Sequence, residues 1–141
     1  WWRWQPWKTR HAPIVWVLHL AYLWIVVHLA LRAAALLGWA TPTAATHALT
    51  AGAIGGLVIG MITRTALGHT GRPLRAGRIE IASYVLVALA ALVRTFVPLA
   101  APAYTVLAVE ASAVLWSGAF AIYAVGYWPV LTRPRLDGRP G

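Results

Sequence analysis

The chain has 141 residues, of which 60% are hydrophobic and 11% charged, with a formal net charge of +9 and a mean hydropathy of +0.68. A soluble domain carries about 25% charged residues, so both a water-soluble globular fold and a disordered chain are excluded. The absence of cysteine removes disulfides, thiolate metal sites, covalent CxxCH haem attachment and cysteine catalysis.

Four apolar stretches are long enough to cross a hydrocarbon core, which takes about 20 helical residues. They run over 13–39, 45–67, 79–100 and 103–131. They are too long, and alternate too little, for barrel strands. Helices satisfy every backbone group without a closed sheet. The predicted fold is therefore all-α: a polytopic membrane bundle of four transmembrane helices in a single domain over 1–141. Pro13 suits a first helical turn, Pro42, Pro98 and Pro102 fall at connections, and Pro129 marks an exit or a kink.

Charge sets the direction. Arg3, Lys8 and Arg10 precede the first span, Arg72, Arg75 and Arg78 join the second to the third, and Arg133, Arg135 and Arg139 follow the fourth. The connections near Thr41–Thr43 and Ala101–Pro102 carry no charge. Four crossings bring the three basic segments to one face, and the positive-inside rule makes that face cytoplasmic, with N-in and C-in termini. The basic charge thus points to a bilayer surface and not to nucleic acid. Trp7, Trp39 and Trp128 fall at the expected water–lipid boundaries, and Trp1, Trp2 and Trp4 at the cytoplasmic surface. The chain opens without Met, its one Met being Met61, which leads us to expect a fragment.

Ionisable groups inside a span are expensive, and each asks for a reason. His19 and His28 lie in the first span, His47 and Arg64 in the second, Arg94 in the third and Glu110 in the fourth, with Arg32, His69 and Glu80 near span ends. Imidazole is a common ligand of haem iron and copper. Counting depth at about 1.5 Å per residue pairs His19 with His69 first and His28 with His47 second. The competing reading is that each imidazole bonds a neighbouring carbonyl and fixes packing; His11, in the tail, is expected to be solvated. Arg94 and Glu110 are placed to form a structural ion pair, with a proton path or a propionate clamp as the alternative. Arg32 is expected to snorkel. Arg64 either does likewise or holds a haem propionate. Gly52, Gly56 and Gly60 form a small-residue ridge suited to close helix contact, or to a planar cofactor. The loop Gly68–Leu74, with Gly68, Gly71 and Arg72, is a weak anion-binding candidate. No HExxH, GxSxG or P-loop pattern is present, so a soluble-type hydrolase or kinase is unsupported.

The stretch HALTAGAIGGLVIGMITRTALGHTGRPL, residues 47–74, resembles the NnrS family, with support from PIVWVLHLAYLW upstream and YWPVLTRPRLDGRPG downstream. The resemblance implies the C-terminal part of a polytopic protein of about a dozen spans, whose missing N-terminal helices would be partners of this segment. It implies a multi-pass protein of the bacterial inner (cytoplasmic) membrane containing haem b and copper, acting in nitric oxide response, denitrification or nitrosative-stress resistance. On matching positions it marks His47 and His69, then His19, as metal or haem candidates. His28 is a metal candidate from its position in the span alone, and Arg64 and Arg72 are candidates for holding a cofactor alongside His19 and His69. Two further functional readings remain: a quinol-linked haem–copper redox enzyme acting on nitric oxide, and a non-catalytic membrane assembly or transport subunit.

Overall fold

The computed structural model describes residue 3 and residues 5–138. The expectations placed on Trp1, Trp2, Trp4 and Arg139 lie outside those residues. Among the described residues the regular structure is entirely helical, with no strand. Four helices are long and apolar enough to cross a membrane: α1 (Pro13–Leu36), α2 (Pro42–His69), α3 (Arg78–Ala100) and α4 (Pro102–Thr132). Their outward faces are apolar, Val114 being 72% and Val125 77% exposed. In water such faces would drive aggregation; in lipid they are the solvent-matched surface.

The helix ends follow from local chemistry. Pro13 opens α1, where its missing N–H costs nothing. The helix stops at Leu36, short of the expected Trp39, because Gly38 takes a left-handed φ of 75°. Trp39 N–H then reaches back to the Ala34 carbonyl and Gly38 N–H to that of Ala35, a Schellman closure. Helix α2 begins earlier than expected, since the Thr41 hydroxyl caps Ala44 N–H at 3.3 Å. It ends in a second Schellman closure around Gly71 (φ 69°), with Arg72 N–H on the Leu67 carbonyl. At the start of α3, Glu80 Oε2 accepts from Gly77 N–H at 2.7 Å.

One local feature has no counterpart in the hydropathy pattern. Over Ala48–Ile54, α2 is a π-helix. Gly55 N–H donates to the Thr50 carbonyl, five residues back. The extra residue in the turn shifts the angular phase of everything before it relative to everything after.

Helices adjacent in sequence are adjacent in space, and the α1–α2 and α3–α4 interfaces are the most extensive. The glycine ridge of α2 faces α1. A Cβ on Gly52 would lie 2.2 Å from the Trp24 ring, one on Gly56 2.8 Å from Ala21, and one on Gly60 2.9 Å from Leu18. The ridge is therefore filled by α1 and offers no slot for a planar cofactor. Gly55 points the other way, where its Cβ would meet Trp116 of α4 at 2.3 Å.

Both tails and the α2–α3 loop meet at one end of the bundle. Arg64 Nη1 donates to the Ile14 carbonyl at 3.4 Å, and Arg135 Nη1 donates to the His69 carbonyl at 2.7 Å. The described basic residues of all three segments therefore gather at one end, as the charge pattern requires.

Gly52→Ala is expected to force α1 away from α2 and to lower stability by about 1–3 kcal/mol, read as a lower Tm in detergent. Gly118→Ala, where a Cβ meets nothing within 4 Å, is expected to leave Tm unchanged or slightly raised.

Candidate functional site

At the basic end, polar groups inside the bundle are paired. Tyr127 Oη donates to Glu80 Oε1 at 2.5 Å. Thr63 Oγ1 donates to the Gly60 carbonyl at 2.8 Å, so Tyr84 Oη, 2.6 Å away, is the donor to Thr63. Ser83 Oγ donates to the Ala119 carbonyl at 3.1 Å. Tyr123 stacks on Tyr127 at 4.4 Å between ring centres and donates to the Ile62 carbonyl at 3.3 Å. These bonds tie α2, α3 and α4 together. In lipid an unpaired hydroxyl or carboxylate is expensive, which makes this network a lock and not a reaction centre.

The loop Gly68–Leu74 belongs to the same lock. Its Gly71 and Arg72 N–H groups close the end of α2, and Arg72 Nη1 donates to the Val130 carbonyl at 3.2 Å and to that of Thr70 at 3.4 Å. Leu136 N–H donates to the Thr70 carbonyl. Arg135 forms a two-pronged pair with Asp137, 2.9 Å and 2.6 Å, which raises the guanidinium pKa above its ordinary value. The N–H groups that would have made an anion nest are thus occupied by helix closure. Arg64, His69 and Arg135, with Met61, line an open groove of about 480 Å³ on this face. Arg72 is not part of its lining.

The histidines separate. Gly60 packs on Val17 and Leu18, so His19 is level with about residue 59 of α2. His69 lies about ten residues further on, about 15 Å along the axis. The structure therefore does not bring His19 and His69 to one level, because α2 runs on past the start of α1. His28 and His47 do share a level: His28 Nδ1 lies 2.7 Å from the Ala45 carbonyl. A carbonyl only accepts, so His28 Nδ1 carries a proton and donates; in the neutral imidazole Nε2 is then the lone-pair nitrogen. That is how a ligating imidazole is commonly oriented. His47, however, lies two residues beyond Ala45, about 200° around the helix, and faces α3 and α4 instead of α1. His11 accepts from its neighbour Arg10 at 2.9 Å and is exposed.

His47 and Arg94 line two adjoining cavities. One, of about 360 Å³, lies between α2, α3 and α4, with Ala51, Ala90, Ala113 and Trp116 on its walls. The other, of about 320 Å³, lies toward the end remote from the arginine-rich loop and carries Thr43, Thr95, Pro98 and Thr105. The π-turn of α2 begins at the residue after His47. Such turns recur at functional sites. The expected Arg94–Glu110 pair does not form: among the described residues the ion pair is Arg135–Asp137, and Glu110 is exposed and outside both linings. Glu110 stands outside the cavity lining, whereas Val109 and Ala113, themselves exposed, and the buried Ser112 contribute to it. Arg32 is exposed, as a snorkelling residue would be.

Sequence reading passed over Thr95, and it placed Glu80 near a span end without assigning it a partner. Thr95 is fully buried and its Oγ1 has no hydrogen-bond partner. Pro98, four residues after Arg94, is the signal that marks this level, since it leaves the Arg94 carbonyl without a helical N–H.

Comparison with known proteins gives one match. A family model described as NnrS protein matches residues 1–135. No curated protein and no solved structure matches the chain.

Tyr127→Phe leaves Glu80 Oε1 without its donor, and a loss of about 1–3 kcal/mol is expected, read as a lower Tm in detergent. Tyr123→Phe, which breaks a longer bond to a carbonyl, is expected to cost less.

Proposed function

This chain belongs to the NnrS family, and from that premise we propose that it acts in the bacterial cytoplasmic membrane in the response to nitric oxide, as a haem-binding protein whose ligand imidazole is His47. The link to nitric oxide is carried by one observation, the match over nearly the whole chain. The choice of His47 among five histidines comes from its surroundings.

The donor sets differ for the two cofactors the family suggests. Among the described residues no group of three or more His, Asp or Glu side chains converges, so no step is assigned to copper in this chain. Haem asks for less: one imidazole at depth and a cationic partner for its carboxylates. His47 and Arg94 supply both on one cavity wall. His28, held with Nε2 as the lone-pair nitrogen, is the second imidazole in a suitable state, on the other side of α2. Bound haem would supply an iron able to bind nitric oxide. The protein's own part is to present the imidazole from a largely apolar wall, cover it with Trp116 and the alanines around it, and place a positive charge beside it. His69 and Arg64 lie at the basic groove, and Arg72 at the helix closure; both places suit the membrane surface better than a buried metal.

Orientation follows from charge. The arginine-rich end is assigned to the cytoplasm by the positive-inside rule, with the lipid bilayer as solvent around all four helices.

Two measurements test these assignments. The protein purified with haem is expected to show a Soret band that His47→Ala abolishes or shifts, and that His69→Ala leaves in place. Spectra unchanged in every single His→Ala variant would leave only packing roles for the histidines. For orientation, the cysteine-free sequence permits single-cysteine mapping. In intact spheroplasts Ala103→Cys is expected to react with an impermeant maleimide and Arg75→Cys to react only after lysis; the reverse pattern would invert the topology.

A further inference from the structure

Arg94 is a permanent cation set about 9 Å inside the end of α3, and it has no hydrogen-bond or ion-pair partner among the described residues. A lone charge within a span is costly. Beside it, Thr95 Oγ1 is fully buried and unpartnered on the wall of the same 320 Å³ cavity. The other polar side chains there are mostly committed: Thr41 caps Ala44 N–H, and Thr105 donates to the Pro102 carbonyl. A guanidinium, a hydroxyl donor and the His47 imidazole thus meet at one place where, among the described residues, the chain supplies no carboxylate to answer the charge. The adjoining 360 Å³ cavity is comparably apolar but, among the described residues, has no fully buried unpaired hydroxyl like that of Thr95. Its Thr50 and Ser112 hydroxyls already donate to the Thr46 and Val109 carbonyls, leaving mainly alanine, valine and Trp116 surface. His47 and Arg94 stand at the boundary between the two.

We propose that this pair of cavities binds a carboxylate-bearing apolar molecule, its carboxylate held by the Arg94 guanidinium and the Thr95 hydroxyl and its body in the Trp116 cavity. The forked guanidinium matches the two carboxylate oxygens, and Thr95 supplies a further donor where an unmade bond is otherwise a standing cost. An uncharged lipophile could at most accept hydrogen bonds here and would leave the Arg94 charge unneutralised. A small inorganic anion would answer them but leave the Trp116 cavity empty. The inference shares Arg94 and a cavity with the haem reading above, so the two ligands would compete for this place; it does not rest on that reading, because Arg94, Thr95 and the Trp116 wall carry it without the imidazole.

The test uses the full chain in neutral detergent, free of haem, with cis-parinaric acid, whose polyene fluorescence reports binding, and with its methyl ester. The acid is expected to bind about tenfold or more tightly than the ester. Arg94→Gln should bring the acid down to the level of the ester and leave the ester unchanged, and Arg94→Lys should restore only part of the difference. Thr95→Val, close to isosteric, should weaken the acid several-fold and not the ester, which keeps the proposal testable if Arg94→Gln fails to fold. Equal binding of acid and ester, or acid binding unaltered in folded Arg94→Gln, overturns it. Phosphatidylglycerol displacing the acid at lower concentration than a second fatty acid overturns it in favour of a phospholipid phosphate. His47→Ala should remove the haem band and retain the preference for acid over ester, so the two readings fail separately.

Discussion

The close approach of α1 to the glycine ridge of α2 fixes the rest of the bundle. Trp24, Ala21 and Leu18 sit where side chains at positions 52, 56 and 60 would otherwise be. Without a hydrophobic drive between helices in lipid, such contact between small residues is a main source of helix affinity. It also sets the register of the two helices, and register decides which imidazoles share a level. Once Gly60 lies against Val17 and Leu18, His19 and His69 are separated along the axis, and His28 is brought to the Ala45 carbonyl. The same contact uses one face of α2 completely. Whatever else α2 does must be done by the face that carries His47 and Gly55.

The two ends of the bundle treat polar groups differently. At the basic end Glu80, Tyr127, Tyr84, Thr63 and Arg72 all find partners, several of them across helices. At the other end Arg94 and Thr95 find none among the described residues, and Pro98 removes the N–H that would have met the Arg94 carbonyl. Paired groups in lipid hold helices together, whereas unpaired ones are stable only if something else answers them. The division runs along the bundle axis, with the locked end at the arginine clusters and the chemically unfinished end beyond the π-turn.

Much of the fold was legible because hydropathy and charge are properties of position along the chain. The four spans, Pro42 and Pro102 at the connections and the gathering of Arg10, Arg72 and Arg135 at one end need no knowledge of packing, whereas Pro98, expected at a connection, lies inside α3. Helix limits were less exact. Gly38 ends α1 by a left-handed turn that a run of apolar residues does not reveal, and Thr41 starts α2 by a cap outside the apolar run. The site was only partly legible. His47 and Arg94 stood out as ionisable residues within spans, but Arg94 was matched to Glu110 across a short connection. A depth count cannot tell that Glu110 faces outward while Ser112 is buried on the cavity wall.

What the sequence determined on its own was the class, the number of crossings, the grouping of basic segments and the likeness to NnrS, since each is written in composition, order or a contiguous motif. The tertiary structure alone decided which side chains converge. That depends on azimuth and register, and both are set by contacts between helices. The Gly ridge filled by α1 removes one candidate surface. The π-turn after His47 resets the phase of α2 within its own span, and with it the cavity wall on which His47 and Arg94 meet.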